Sequence, residues 1–138
     1  MKYLIDTHVL IWALTNDEKL TDTAHQIVAT KSIYVSNISL WEISIKYQLG
    51  KLEWNGFNPA DIWQEGEKIE FKLLPFSPME ATGFYKLERL HKDVFDRMII
   101  WQAIKNSMVL VSKDSRMQQY EKFGLDLTWW KKKYPWEK

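Results

Sequence analysis

Cysteine is absent from the 138-residue chain, so neither a disulfide framework nor a thiolate-held metal is available to it. No apolar run reaches the roughly 20 residues needed to span a membrane. The opening Met1-Lys2-Tyr3-Leu4-Ile5-Asp6 meets an acid too early for a signal peptide. These absences favour a cytoplasmic protein with no membrane partner. An excess of either charge is missing too: 19 basic against 18 acidic residues leave a formal net charge of +1. No global field draws nucleic acid to such a chain, and any binding of that kind must come from local patches or a metal. Glycine and proline are sparse, at five and four residues, and there is no internal repeat or low-complexity linker. What is present is the balance of a globular protein, 46% apolar and 27% charged, in a length that fits one domain. That domain is expected over residues 1–130, followed by a basic, aromatic tail over 131–138. Eight tryptophans are too many for a core of this size to hide, which predicts an exposed apolar patch and with it a homodimer.

The first dozen residues organise the rest. Tyr3-Leu4-Ile5 is a short apolar run of the kind covered on both faces of a sheet, and the stretch from Val9 to Leu14 is long enough for a helix. Asp6 falls between them, at the strand's C-terminal edge, where ligands bind in open α/β sheets. Helix and strand signals then alternate. Thr21 begins a helix through Val28, and Ile33 to Ser36 reads as a β-branched strand. Ser39 and Glu42 make a capping-box pattern for a helix that stops at Gly50. Asn58-Pro59 starts another helix, weakened by Gly66, and Phe71 to Phe76 is a third strand. Ser77 and Glu80 form a second capping box, whose helix is expected to extend through Phe84, Leu87 and Leu90. Asp93 begins the helix from Val94 to Lys105, and Met108 to Val111 is a buried strand. A last helix covers Arg116 to Phe123, with an edge strand from Leu125 to Trp129. The alternation predicts an α/β fold with a mostly parallel, doubly wound central sheet.

In this plan Asp6, Glu42, Asp96 and Asp114 occupy equivalent places, each just after a strand or in the first turn of the helix behind it. Strand C-termini and the following helix N-termini share one edge of a parallel sheet, so the four acids converge there. The positive ends of helices favour carboxylates by only about 0.3–1 kcal/mol each, too little to offset repulsion among several buried acids. Oxygen ligands without cysteine or a histidine set suit Mg²⁺ or Mn²⁺, the usual carboxylate-held ions of phosphoryl transfer. Each acid also has a plain structural explanation: a helix cap for Asp6 and Asp114, the capping-box partner of Ser39 for Glu42, the partner of Asp93 and Arg97 for Asp96.

Taken in order, Asp6-Thr7-His8-Val9-Leu10-Ile11-Trp12, Ser36-Asn37-Ile38-Ser39-Leu40-Trp41-Glu42-Ile43, His91-Lys92-Asp93-Val94-Phe95-Asp96-Arg97 and Val111-Ser112-Lys113-Asp114 resemble the PIN domain, and more narrowly the VapC-type toxins of toxin–antitoxin pairs. The resemblance covers residues 1 to about 128. It implies a three-layer α/β/α sandwich and an endoribonuclease dependent on Mg²⁺ or Mn²⁺, a homodimer held inactive by a cognate antitoxin. By position, Asp6, Glu42, Asp96 and Asp114 are the acidic set, with Asp6, Asp96 and Asp114 the chief metal ligands and Asp93 a helix cap. Two positions depart from the pattern: Val94 stands where proline is common, and Ser112 where threonine is common.

The implied reaction hydrolyses an RNA phosphodiester, with Glu42 orienting water or completing a second metal shell. Arg97, Lys113 and Arg116 border the acidic motifs and are candidates for holding flanking phosphates of the RNA. His8 reads as a structural histidine, and neither it nor His91 has the serine or cysteine neighbour of a covalent triad. Trp12, Trp41 and Trp101 lie at helix-core spacing. Trp129, Trp130 and Trp136, interleaved with Lys131 to Lys133, read as a partner-bound or disordered tail before a base-stacking one. The rival functions are a PIN nuclease that processes RNA or cuts single-stranded DNA without an antitoxin and, more remotely, a receiver-type signalling domain. The receiver reading wants an adjacent acidic pair after the first strand, and Asp6 stands alone.

Overall fold

The computed structural model describes residues 1–30, 32–52 and 58–129; the tail from Trp130 onward, with its expected lysine and tryptophan cluster, lies outside the described residues. The chain runs β1 (Tyr3–Ile5), α1 (Thr7–Thr15), α2 (Asp22–Ala29), β2 (Ile33–Ser36), α3 (Asn37–Gln48), α4 (Ile62–Ile69), β3 (Lys72–Leu74), α5 (Pro78–Gly83), α6 (Val94–Lys105), β4 (Val109–Val111), a 3-10 helix over Ser115–Phe123, and β5 (Asp126–Thr128). All five strands are parallel, in the order β3-β2-β1-β4-β5. From β1 the chain winds outward through β2 to β3, then crosses back to β4 and β5 on the other side. The winding therefore reverses between β1 and β4, and the crevice beyond their C-terminal ends is the place where such sheets bind ligands.

Strands of three or four residues hold here because each alternate side chain enters a different core. Ile5, Ile33, Val35 and Val111 face α1, α2 and α4. Leu4 and Leu110 face α6 and the final 3-10 helix, joined by the partly buried Tyr34 and Leu127. Winding outward under one layer of helices and back under the other is what right-handed crossovers require. The result is a three-layer α/β/α sandwich. Helix α3 belongs to both layers, giving Ile43 to one core and Ile38 to the other, and packs on α1 as well as α6. It thereby lies across the sheet edge that carries the acids. Among the described residues no helix is long and apolar enough to cross a membrane.

The structure departs from the sequence expectations at particular places. Helix α3 starts at Asn37, not at Ser39, because Ser36 Oγ accepts the Ile38 N–H as soon as β2 ends. Glu42 therefore sits in the second helical turn and makes no capping box. Helix α5 has the expected box, but its helix is shorter: it tightens to a 3-10 turn at Phe84 and reaches extended backbone at Leu87. Gly66, a weak residue for helix α4, has a packing reason. A Cβ there would stand 1.7 Å from Phe71 Cε1, so the missing side chain lets the Phe71 ring close on the helix.

Candidate functional site

Strand β1 delivers Asp6 to the crevice in one step. Its backbone N–H bonds to the Val111 carbonyl of β4 (3.1 Å), and its Oδ1 accepts the Val9 N–H (2.9 Å), so the same residue ends a strand and caps α1. Ser112, at the end of β4, ties the two strand ends together. It is fully buried, its Oγ accepts the Asp114 N–H (3.1 Å), and its hydroxyl donates to Asp6. The hydroxyl that stands in place of the common threonine is thus in use. Asp6 is only 3% exposed. Burial raises its carboxyl above the usual range, against the lowering effect of Ser112, Val9 and His8, with Glu42 pushing the same way as burial.

Asp96 lies in the first turn of α6, which Asp93 caps by accepting the Asp96 N–H (3.0 Å). Burial, then the charges of Asp93, Asp6, Glu42 and Asp114, push the Asp96 carboxyl up to about 8. Asp114 behaves differently. Partial burial pulls it up, but hydrogen bonds from Arg116 and His91 prevail and hold it at about 2. Arg116 grips both oxygens, through Nε (2.9 Å) and Nη2 (2.9 Å), while its backbone N–H is capped by Oδ1 (3.0 Å). Asp6, Asp96 and Asp114 line one cavity of about 380 Å³, walled also by His8, Trp12 and Lys113.

Glu42 approaches from α3 with both carboxylate oxygens engaged. Thr7 donates to Oε1 (2.6 Å), and Lys46, one turn further along α3, bonds Oε2. Thr7 Oγ1 also lies 3.0 Å from Ser39 Oγ. Since the single Thr7 proton goes to the carboxylate, the Ser39 hydroxyl donates to Thr7. Ser39 → Thr7 → Glu42 is therefore a buried relay from α3 to the start of α1. The Lys46 ammonium is shifted up despite burial, by its bond to Glu42 and by the charges of Glu42, Asp93 and Asp96.

His91, Asp96 and Asp114 present ligand atoms within 4.8 Å of one another, a grouping that could hold a metal and that leaves out Asp6. The hydrogen bonds argue against His91 as a ligand. Its Nδ1 accepts the Asp93 N–H (3.1 Å), so the ring proton sits on Nε2 and points at Asp114 Oδ2 (2.7 Å), with Asp96 Oδ2 at 3.4 Å. His91 is 4% exposed and holds the carboxylate in place. Were Asp114 to hold a metal ion, replacing His91 with alanine would weaken Mn²⁺ binding by roughly 10- to 100-fold, the usual cost of losing an outer partner of a metal ligand. Gln, whose amide donates in its place, should restore most of that affinity. Equal losses in both variants, measured by Mn²⁺ titration under electron paramagnetic resonance, would make His91 a ligand instead.

Of the cations expected to hold phosphates, Lys113 and Arg116 line the cavity and Arg97 does not. Arg97 is 9% exposed, and its guanidinium lies over the Phe84 ring (5.5 Å) on the far side of α6. His8 is exposed at the cavity wall and not a buried structural histidine. Trp101 is core, while Trp41 is 61% exposed and Trp12 lines the cavity. Sequence offered no role for Thr7 or Lys46 and weighed His91 only as a member of a covalent triad; the i, i+4 spacing of Glu42 and Lys46 was the one local signal.

A doubly wound parallel sheet with buried carboxylates gathered at its switch point defines a class of α/β domain built around an acidic, cation-hungry crevice. The PIN domain family model matches residues 3–123, and the chain belongs to the PIN domain family, whose members are in general nucleases that use divalent metal ions. No curated protein matches it. Solved structures match its fold over nearly the whole length. VapBC2 from Rickettsia felis, bound to a DNA fragment from its promoter, is 18% identical with a TM-score of 0.65, covering 95% of this chain and 100% of that one. DNA-bound VapBC from Salmonella typhimurium is 18% identical at 0.65, covering 93% and 97%. FitAB bound to the IR36 DNA fragment is 17% identical at 0.67, covering 96% and 99%.

Proposed function

We propose that the chain is an endoribonuclease dependent on Mg²⁺ or Mn²⁺, the toxin of a toxin–antitoxin pair. The observation that carries the reading is the meeting of Asp6, Asp96 and Asp114 in one cavity, where burial and the surrounding acids push the Asp96 carboxyl up to about 8. A site that holds its acids at such cost fits a divalent cation, and the donors are hard oxygens. Asp6, Asp96 and Asp114 would hold the ion, with His91 and Ser112 orienting two of these carboxylates. When bound, such an ion polarises a phosphate oxygen and lowers the pKa of a water. Glu42, held by Thr7 and Lys46 and close enough to act on Asp6 and Asp96, is suited to orient an attacking water. Their position on the cavity wall supports Lys113, and Arg116 beyond its bonds to Asp114, as contacts for flanking phosphates of the RNA.

The antitoxin partner is supported by the likeness to VapBC and FitAB assemblies. The same assignment takes the protein to be cytoplasmic. A homodimer is supported by apolar surface: Tyr47 and Trp63 line one groove while 46% and 54% exposed, and Leu49 nearby is 59% exposed. Light scattering of the purified protein at micromolar concentration should give twice the chain mass, and a monomer there removes the dimer. The function is tested by incubating the protein with total RNA and with single-stranded DNA, with and without Mg²⁺, beside Asp6→Asn. Metal-dependent cleavage of RNA alone is expected. Cleavage confined to DNA would replace ribonuclease with the DNA-cutting reading.

A further inference from the structure

The acidic cavity does not end at Trp12. A second cavity of about 310 Å³ shares His8 and Trp12 with it and continues past Asn16, Lys19 and Lys51. Trp12, half-buried and packed against the core on one side, lines both cavities, six residues along from Asp6, roughly 9 Å at the helical rise. The ring is steadied from within the protein by Trp129, 3% exposed, at 5.8 Å and 50°. His8 flanks it at 5.8 Å and 47°. Two ammonium groups approach the same ring, Lys113 Nζ at 5.6 Å and Lys19 Nζ at 5.7 Å.

The charges along this path differ from those elsewhere around the acids. Lys46 is committed to Glu42, Arg116 to Asp114, and Arg97 to the Phe84 ring. Lys19, Lys51 and Lys113 have no carboxylate partner among the described residues, and all three are exposed. A lysine that rests over an aromatic ring at the surface is weakly held, because the ring quadrupole is a poor substitute for a carboxylate. It gives up that contact readily for a phosphate, and in doing so uncovers the ring. An acidic centre flanked on one side by an indole and three ammonium groups that have no carboxylate partner among the described residues is the pattern of a single-strand track: bases stack on the ring and phosphates follow the cations.

We propose that Trp12 is a stacking platform for an unpaired base of single-stranded RNA next to the cleaved phosphodiester, with Lys113, Lys19 and Lys51 binding the phosphates that flank it. The inference rests on the ribonuclease reading and gives its substrate a defined feature. A paired base keeps its faces within its own helix and cannot use the platform, so RNA must be unpaired at this position. Every base has a π-face, so the platform demands a base without choosing which one.

The test leaves the protein unaltered in its first arm. Matched single-stranded RNAs, intact or with one abasic nucleotide at successive positions around the cleavage site, are compared by KM in Mg²⁺. An abasic nucleotide at one position beside the cleaved bond should raise KM by roughly 5- to 150-fold, the range for one base–aromatic stack, with little effect further away. In Trp12→Ala the intact and abasic substrates should be bound alike, and Trp12→Phe should recover most of the difference. A merely structural tryptophan would weaken both substrates together. Lys19→Ala and Lys51→Ala should each lower the slope of log affinity against log salt by about one. Efficient cleavage of RNA with no abasic position costing affinity overturns the platform and leaves the ribonuclease standing. No cleavage of any RNA by the unaltered protein overturns both.

Discussion

Asp6→Asn is expected to abolish metal-dependent cleavage and, in the same protein, to raise the melting temperature measured without metal. The two effects have one origin. Asp6 is buried at the end of β1, and burial disfavours its charge. Asn caps a helix about as well as Asp, so the amide oxygen keeps the Val9 N–H bond. The charge alone is lost, and with it the ligand proposed for the ion and a source of repulsion for Asp96. Full activity at saturating Mg²⁺ would remove Asp6 from the metal site.

The same repulsion predicts how stability depends on pH. Burial first, and then the neighbouring acids, push the Asp96 carboxyl up to about 8 from its ordinary 3.8. The folded state therefore binds the extra proton, and stability falls as pH rises from about 4 to about 8. Asp114 has the opposite sign: held at about 2, its contribution is complete above its ordinary 3.8 and lost as pH falls toward 2. Metal-free protein should thus melt higher at mildly acidic pH than at pH 8, and then lose stability in strong acid. Asp96→Asn should reduce the first limb, leaving the share of Asp6, whose carboxyl burial also raises, and keep the second. Added Mg²⁺ should stabilise more at the alkaline end, because it competes with the proton for the same oxygens. Melting curves that are flat in chelator across this range would show that the acids do not repel one another as their packing implies.

What could be read in the sequence, and what could not, divides by the distance over which the physics acts. Asp6 was legible because three local facts coincide at one residue: an apolar run ends, a helix begins, and the residue between them is a good cap. Asp93 capping α6 is equally local. The helix start before Glu42 was misplaced by local rules, since Ser36 and Ser39 are both acceptable caps. Only the end of β2 and the burial of Ser39 decide between them. His91 lies in a loop without periodicity, and its partner Asp114 is 23 residues away. The Thr7–Glu42 bond spans 35 residues, and strand order depends on crossovers that carry no mark in the sequence. Arg97 shows the reverse failure. Adjacent to a site acid in sequence, it is turned by the helical period toward Phe84 and away from the acids.

Glu42→Gln should cut the cleavage rate by at least about a hundredfold, the order expected when a group that activates or stabilises the reacting centre is removed. The structure makes this a sharper test than a cap would have. Gln can still accept the Thr7 hydroxyl through its amide oxygen, so the relay from Ser39 can survive. Its amide nitrogen would face the Lys46 ammonium, donor against donor, and the ion pair is lost. Lys46 is partly exposed and can turn to water, so the stability cost should fall well short of the 3–5 kcal/mol of breaking a fully buried pair. Ser39→Ala removes only the outer link of the relay and should cost about 1 kcal/mol with most activity kept. Thermal melting and a fluorogenic RNA assay on both variants, run where each stays folded, separate the roles. If Glu42→Gln melts lower yet cleaves like the parent, Glu42 is a strut between α3 and α1 and the chemistry belongs to Asp6, Asp96 and Asp114. If it stays folded and loses the rate, the negative charge that Lys46 and Thr7 hold in place is part of the reaction.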